Sequence, residues 1–99
     1  MKLSYPLDHF LKNAEGDDRL LPTHISLFIA MFYYRPDDAG GDYFQVSRKK
    51  LMRFSRIKSV ATYHKCIREL VAYGYIIYQP TYDPYRASKV SLNVNSSRT

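Results

Sequence analysis

The order of residues predicts an α+β domain, with helices leading into a small antiparallel sheet. Three observations carry that expectation. Ile25–Tyr34 and Ser59–Tyr73 place apolar residues at helical spacing, and "KVSLNV" alternates as a half-buried strand does. With 99 residues and 45% hydrophobic side chains, the chain can fill one core and is sized for one domain.

The first twenty residues suggest a short helix over Leu7–Ala14, then the polar break "EGDDR". Residues 1–21 are therefore read as an N-terminal arm, residues 22–95 as the domain and 96–99 as a tail. The next helix begins in "PTHISLF", with Thr23 as N-cap beside Pro22. Ile25, Phe28, Ile29 and Phe32 recur at i, i+3, i+4, i+7 and are expected to be its buried stripe. Leu27, Met31 and Tyr34 spread apolar surface to its other sides, so this helix belongs at the centre or under the arm. Pro36 stops it, and "DDAGGD" is a loop.

"YFQV" is long enough for one edge strand. Ser47 then caps a compact helix, "RKKLMRF", with Leu51 and Phe54 facing inward, and "SRIKS" is a turn anchored by Ile57. Ser59 caps the following helix, which runs to Tyr73 and stops at Gly74, a residue suited to the left-handed C′ position. "YIIY" is a strand and "QPTYDPYRAS" a loop. In "KVSLNV", Val90, Leu92 and Val94 point inward while Lys89, Ser91 and Asn93 point outward. Three helices followed by such a β-hairpin wing make the winged helix-turn-helix arrangement, a three-helix core with a small antiparallel sheet.

Charge is distributed unevenly along this plan. Residues 1–46 hold four basic and seven acidic groups, whereas residues 47–99 hold eleven and two. From Ser47 to Arg68 there are eight Lys or Arg and no carboxylate. A solubilising surface mixes both signs, so this run points to a polyanionic partner.

At 100° per residue, Tyr63, Cys66, Ile67 and Leu70 share one side of the last helix, with Val71 extending it. Ala61, His64, Lys65 and Arg68 gather opposite, with Thr62 at their edge. Ser59, Ala61 and Thr62 are small enough to let the helix approach a surface, and the longer donors flank them. Arg and Lys reach guanine O6 and N7, and one helix fits a B-form major groove. The expected base-reading set is Ser59, Ala61, Thr62, His64, Lys65 and Arg68. Phosphate and wing contacts are expected from Ser47, Arg48, Lys49, Lys50, Arg53, Arg56, Lys58, Arg86 and Lys89. Tyr82 and Tyr85 either pack the wing loop or stack on sugars, with packing favoured.

Other chemistries find little support. His64 and Cys66 stand two residues apart on a helix and diverge too far for one zinc ion, while His9 and His24 are expected at the surface or in caps. Ser47 and Ser55 each precede a Lys by three residues, but the other motifs of the penicillin-binding enzymes are missing. Asn95-Ser-Ser97 matches a glycosylation sequon that has no meaning without a secretory signal. No catalytic residues, metal or cofactor are expected. A lone cysteine, Cys66, excludes an internal disulfide framework, and the longest apolar stretch is too short for a membrane span. A cytoplasmic protein with no membrane partner is expected.

The stretches "DDRLLPTHISLF", "TYHKCIREL" with "YGYI", and "YDPYRASKV" carry a resemblance. From about Asp17 to Leu92 the chain resembles the small winged-helix proteins, regulators or excisionase-like accessory factors, of bacterial conjugative and other mobile elements. It departs from that pattern at Ala87, where the family has a glycine in the wing loop. The resemblance implies DNA binding in control of transcription, excision or transfer, with a recombinase or mobilisation protein as a further partner. A homodimer on paired half-sites suits so small a reader, although no dimerisation element is legible. The alternative is a winged-helix adaptor that docks an acidic protein.

Overall fold

The computed structural model describes residues 5–39, 43–81 and 87–92. The architecture is α+β. It has four helices, α1 (Tyr5–Glu15), α2 (Pro22–Tyr34), α3 (Arg48–Ser55) and α4 (Val60–Ala72), and a sheet of β1 (Phe44–Val46), β2 (Ile77–Gln79) and β3 (Ser88–Ser91), with α1, α3 and α4 on α2 and β2 against α4. A 3-10 turn, Asp37–Ala39, follows α2. The sheet is antiparallel in the order β1-β3-β2, with Phe44 opposite Val90 and Ile77 opposite Ser91. Among the described residues no helix is long and apolar enough to cross a membrane.

α2 is the central helix, as its all-round apolarity predicts, but its buried face differs from the expected stripe. His24, Leu27, Phe28, Ala30 and Met31 are buried, while Ile25, Ile29 and Phe32 are half-buried. A helix that is apolar on every side carries no phase signal, so its neighbours choose the face. Thr23 is not the N-cap. Leu21 takes that position with Pro22 at the first helical residue, and the Leu21 N–H donates to His24 Nδ1 at 2.8 Å. A side chain from the first turn thus satisfies the N–H of the N-cap residue itself, the reciprocal half of a capping box.

α1 extends the expected Leu7–Ala14 segment at both ends and reaches into the core. Phe10 is 1% exposed, stacks on Phe28 at 3.9 Å between ring centres and meets Tyr75 edge-on at 5.2 Å. The polar break after α1 is tied down as well. The Asp17 carboxylate accepts from Arg19 at 2.8 and 2.7 Å and from the Tyr75 hydroxyl at 2.6 Å, while the Arg19 guanidinium lies 4.3 Å over the Tyr73 ring.

The Arg19 bond first, and the Tyr75 bond second, hold the Asp17 carboxyl well below the usual carboxylate range. Burial, then the bond to Asp17, pushes the Tyr75 phenol up to about 12. A depressed carboxyl contributes stability that is complete above its unfolded value and is lost as pH falls through the folded one. Thermal melts followed by circular dichroism should therefore show wild-type stability declining from about pH 4 downward, near the unfolded carboxyl value. Asp17→Asn should be less stable at neutral pH and flatter across that acid limb. Parallel acid limbs for the two proteins would show that Asp17 carries no such linkage.

Four further expectations are corrected. Phe54 does not face inward: it is 40% exposed. The inner face of α3 is taken by Leu51 and by Ser55, whose hydroxyl donates to the Leu51 carbonyl at 2.6 Å. Ser55 is small, so α3 approaches α2 closely, and Ser26 Oγ reaches the Ser55 carbonyl at 3.3 Å. Val71 is 41% exposed and does not extend the core side of α4. Ser91, expected outside, is buried between Val90 and Leu92, because β3 is the middle strand and its neighbours cover so small a side chain. The second strand also starts later than "YIIY" suggests, with Tyr75 and Ile76 buried ahead of it. Asn93 and Val94 lie outside the described residues.

Candidate nucleic-acid interface

Local rules alone account for the shape of the α3–α4 unit. Ser47 Oγ accepts the Lys50 N–H at 3.2 Å and Ser59 Oγ the Thr62 N–H at 3.3 Å, each a side-chain cap on a free helix terminus. Arg56, at φ 63°, ends α3 in the left-handed conformation, and the Ile57 N–H returns to the Met52 carbonyl at 3.0 Å. Ile57 is buried and pins the short turn between the helices. At the far end of α4, Gly74 has φ 86°, the backbone its lack of a side chain permits.

The orientation of α4 is fixed from inside. Tyr63, Cys66, Ile67 and Leu70 are buried. Of the two places expected for His24, surface or cap, it takes the cap: it is 1% exposed and bonded at both ring nitrogens. Because Nδ1 accepts from Leu21, the proton resides on Nε2, which donates to Glu69 Oε1 at 2.8 Å. Glu69 is the first carboxylate after the basic run, and this bond turns it inward, away from the opposite face.

That opposite face is open. Ser59, Ala61, Thr62, Lys65 and Arg68 are exposed, and His64 is half-buried with its ring edge-on to Tyr63. Ser47, Arg48, Lys49, Lys50, Arg53, Arg56, Lys58 and Lys89 are exposed too. Among the described residues none of these cations forms an ion pair within the chain. They do not form one cluster. Arg48 and His64 line a common cleft, Lys50 leans over the Tyr34 ring at 5.9 Å on the α2 side, and Lys89 borders a separate hollow with Gln45 and Gln79. Arg86, Tyr82 and Tyr85 lie outside the described residues.

The common cleft holds about 530 Å³ between the start of α3, α4 and the sheet. Tyr63, Tyr78, Thr81 and Ser88 join Arg48 and His64 in its wall. None of these four was expected at a site. Helical spacing puts Tyr63 in the core, and its ring is buried there, yet it also borders the cleft. Burial, with Tyr78 adding to it, raises the Tyr63 phenol to about 12 against an opposing effect of Arg48. It therefore keeps its proton at neutral pH and can donate as well as accept. The cleft arises because β3 inserts between β1 and β2, a pairing that local spacing does not encode.

No group of three metal-binding side chains stands together among the described residues. Comparison with protein-family models, with curated proteins and with solved structures found no match to the chain.

Proposed function

We propose that this protein binds double-stranded DNA sequence-specifically, as a winged helix-turn-helix. One observation carries this: α4 buries its aromatic and aliphatic side while Ala61, Thr62, Lys65 and Arg68 stay uncovered on the other. The small residues of the first turns let α4 enter a major groove, and Lys65 and Arg68 reach base edges. Arg48, Lys49, Arg56 and Lys58 clamp phosphates on either side. The β2–β3 hairpin is the wing, and the cleft beside it offers Arg48, His64 and the Tyr63 phenol to backbone oxygens. Control of transcription, excision or transfer on a mobile element is the setting that the resemblance of the sequence suggests.

Binding that neutralises roughly 5–7 phosphates should give a slope near −5 to −6 for log affinity against log salt. Fluorescence anisotropy on a labelled duplex across a salt series measures it. A flat response defeats the proposal, and capture of an acidic protein in a parallel pull-down, with no duplex bound at any salt concentration, would favour the adaptor.

A further inference from the structure

The surface along which α2 meets α3 carries two aromatic rings, Tyr33 and Phe54, that the core does not use, beside Tyr34, which packs against the core. Tyr33 is 66% and Phe54 40% exposed, yet the two rings stack at 5.1 Å with 27° between their planes. Tyr34 meets Tyr33 edge-on at 5.0 Å and Phe54 at 6.0 Å. A contiguous, mutually ordered aromatic patch of this kind marks an interaction surface.

Its charged surroundings narrow the partner. Lys50 and Arg53 are exposed on the α3 side, and Asp37 and Asp38 are exposed just beyond the end of α2. Among the described residues none of the four forms an ion pair. A nucleic acid would meet repulsion from the aspartates, and an acidic protein would meet the same. The occupant must present acid to one edge, base to the other and apolar rings between them. This chain does so itself. α2 and α3 run antiparallel, since Ser26 touches the Ser55 carbonyl at one end and Lys50 covers Tyr34 at the other. A two-fold axis lying between the helices would set the Tyr33 side of one copy on the Phe54 side of the next. It would also carry Asp37 and Asp38 to Lys50 and Arg53 of the second copy, twice over, as an isologous contact requires.

We infer that this patch is a homodimer surface, formed from Tyr33 and Phe54 at its centre and Asp37, Asp38, Lys50 and Arg53 at its rim. The dimer needs no DNA, so its test is separate from that of the proposed function. Sedimentation velocity on the free protein, from about 1 to 500 micromolar to cover a weak dimer, should show a concentration-dependent shift from monomer to dimer. Tyr33→Ser with Phe54→Ser should weaken association by roughly tenfold or more, as central aromatic anchors do. Its circular dichroism should be unchanged, since both side chains lie outside the core.

Charge exchange supplies the sharper arm. Asp37→Lys with Asp38→Lys gives one variant, and Lys50→Glu with Arg53→Glu gives another; each alone should be monomeric. Mixed in equal amounts, they should form a heterodimer. A wild-type monomer at every concentration overturns the inference, and so does a dimer indifferent to Tyr33 and Phe54. Failure of the mixture to associate overturns the two-fold arrangement. None of these results touches binding of a duplex by α4.

Discussion

Phe10→Ala is expected to lower the free energy of unfolding by about 3–5 kcal/mol, the cost of truncating a fully buried phenylalanine. The ring loses a stacked partner, Phe28, and an edge-on partner, Tyr75, which together add a geometric contribution to simple burial. The cavity cannot close easily. Phe28 is held in the central helix, and Tyr75 is tethered through its hydroxyl to Asp17. A domain of this size has about 5–15 kcal/mol in total, so the variant should sit near the edge of folding. Urea titration and thermal melts measure the loss directly. An effect under about 1 kcal/mol, typical of a surface position, would mean that α1 only lies against the domain. Leu11→Ala on the same helix, half-buried, should cost distinctly less and serves as the internal comparison.

What could be read from the sequence follows the range of the interaction responsible. α4 was legible because its determinants lie within a few residues: Ser59 at the cap, apolar spacing through Leu70, Gly74 at the exit. The separation of its two faces followed from helical geometry alone. Elements whose position depends on distant partners were not legible. His24 looks like an ordinary polar residue until Glu69, 45 positions later, supplies the second bond that allows its burial. Phe10 gains its importance through Phe28 and Tyr75, and Asp17, besides its local bond to Arg19, through the distant Tyr75 hydroxyl. Phe54 illustrates the opposite failure. Its spacing from Leu51 suits the core, but Ser55 suits it better, because a small residue there brings the helices into contact. The cleft residues Tyr63, Tyr78, Thr81 and Ser88 come together only when β3 takes the middle of the sheet.

If the protein binds a duplex as proposed, Lys65→Ala and Arg68→Ala should each weaken binding to the preferred sequence by roughly 1–3 kcal/mol, with specificity relaxed at the base each one would read. Lys49→Ala should behave differently, weakening all sequences about equally and reducing the salt slope by about 1. The distinction rests on position. Lys65 and Arg68 lie one turn apart on the uncovered side of α4, where a groove floor would be, whereas Lys49 is exposed on α3, where the proposed docking would bring only phosphates. All three are exposed, so their replacement should leave thermal stability within about half a kcal/mol, and a loss of affinity cannot be attributed to unfolding. Anisotropy titrations on specific and scrambled duplexes, each repeated at two salt concentrations, separate the two behaviours. If Lys49→Ala alone changed sequence preference while Lys65→Ala and Arg68→Ala weakened every duplex alike, the groove would be read from α3. The open face of α4 would then be a phosphate clamp.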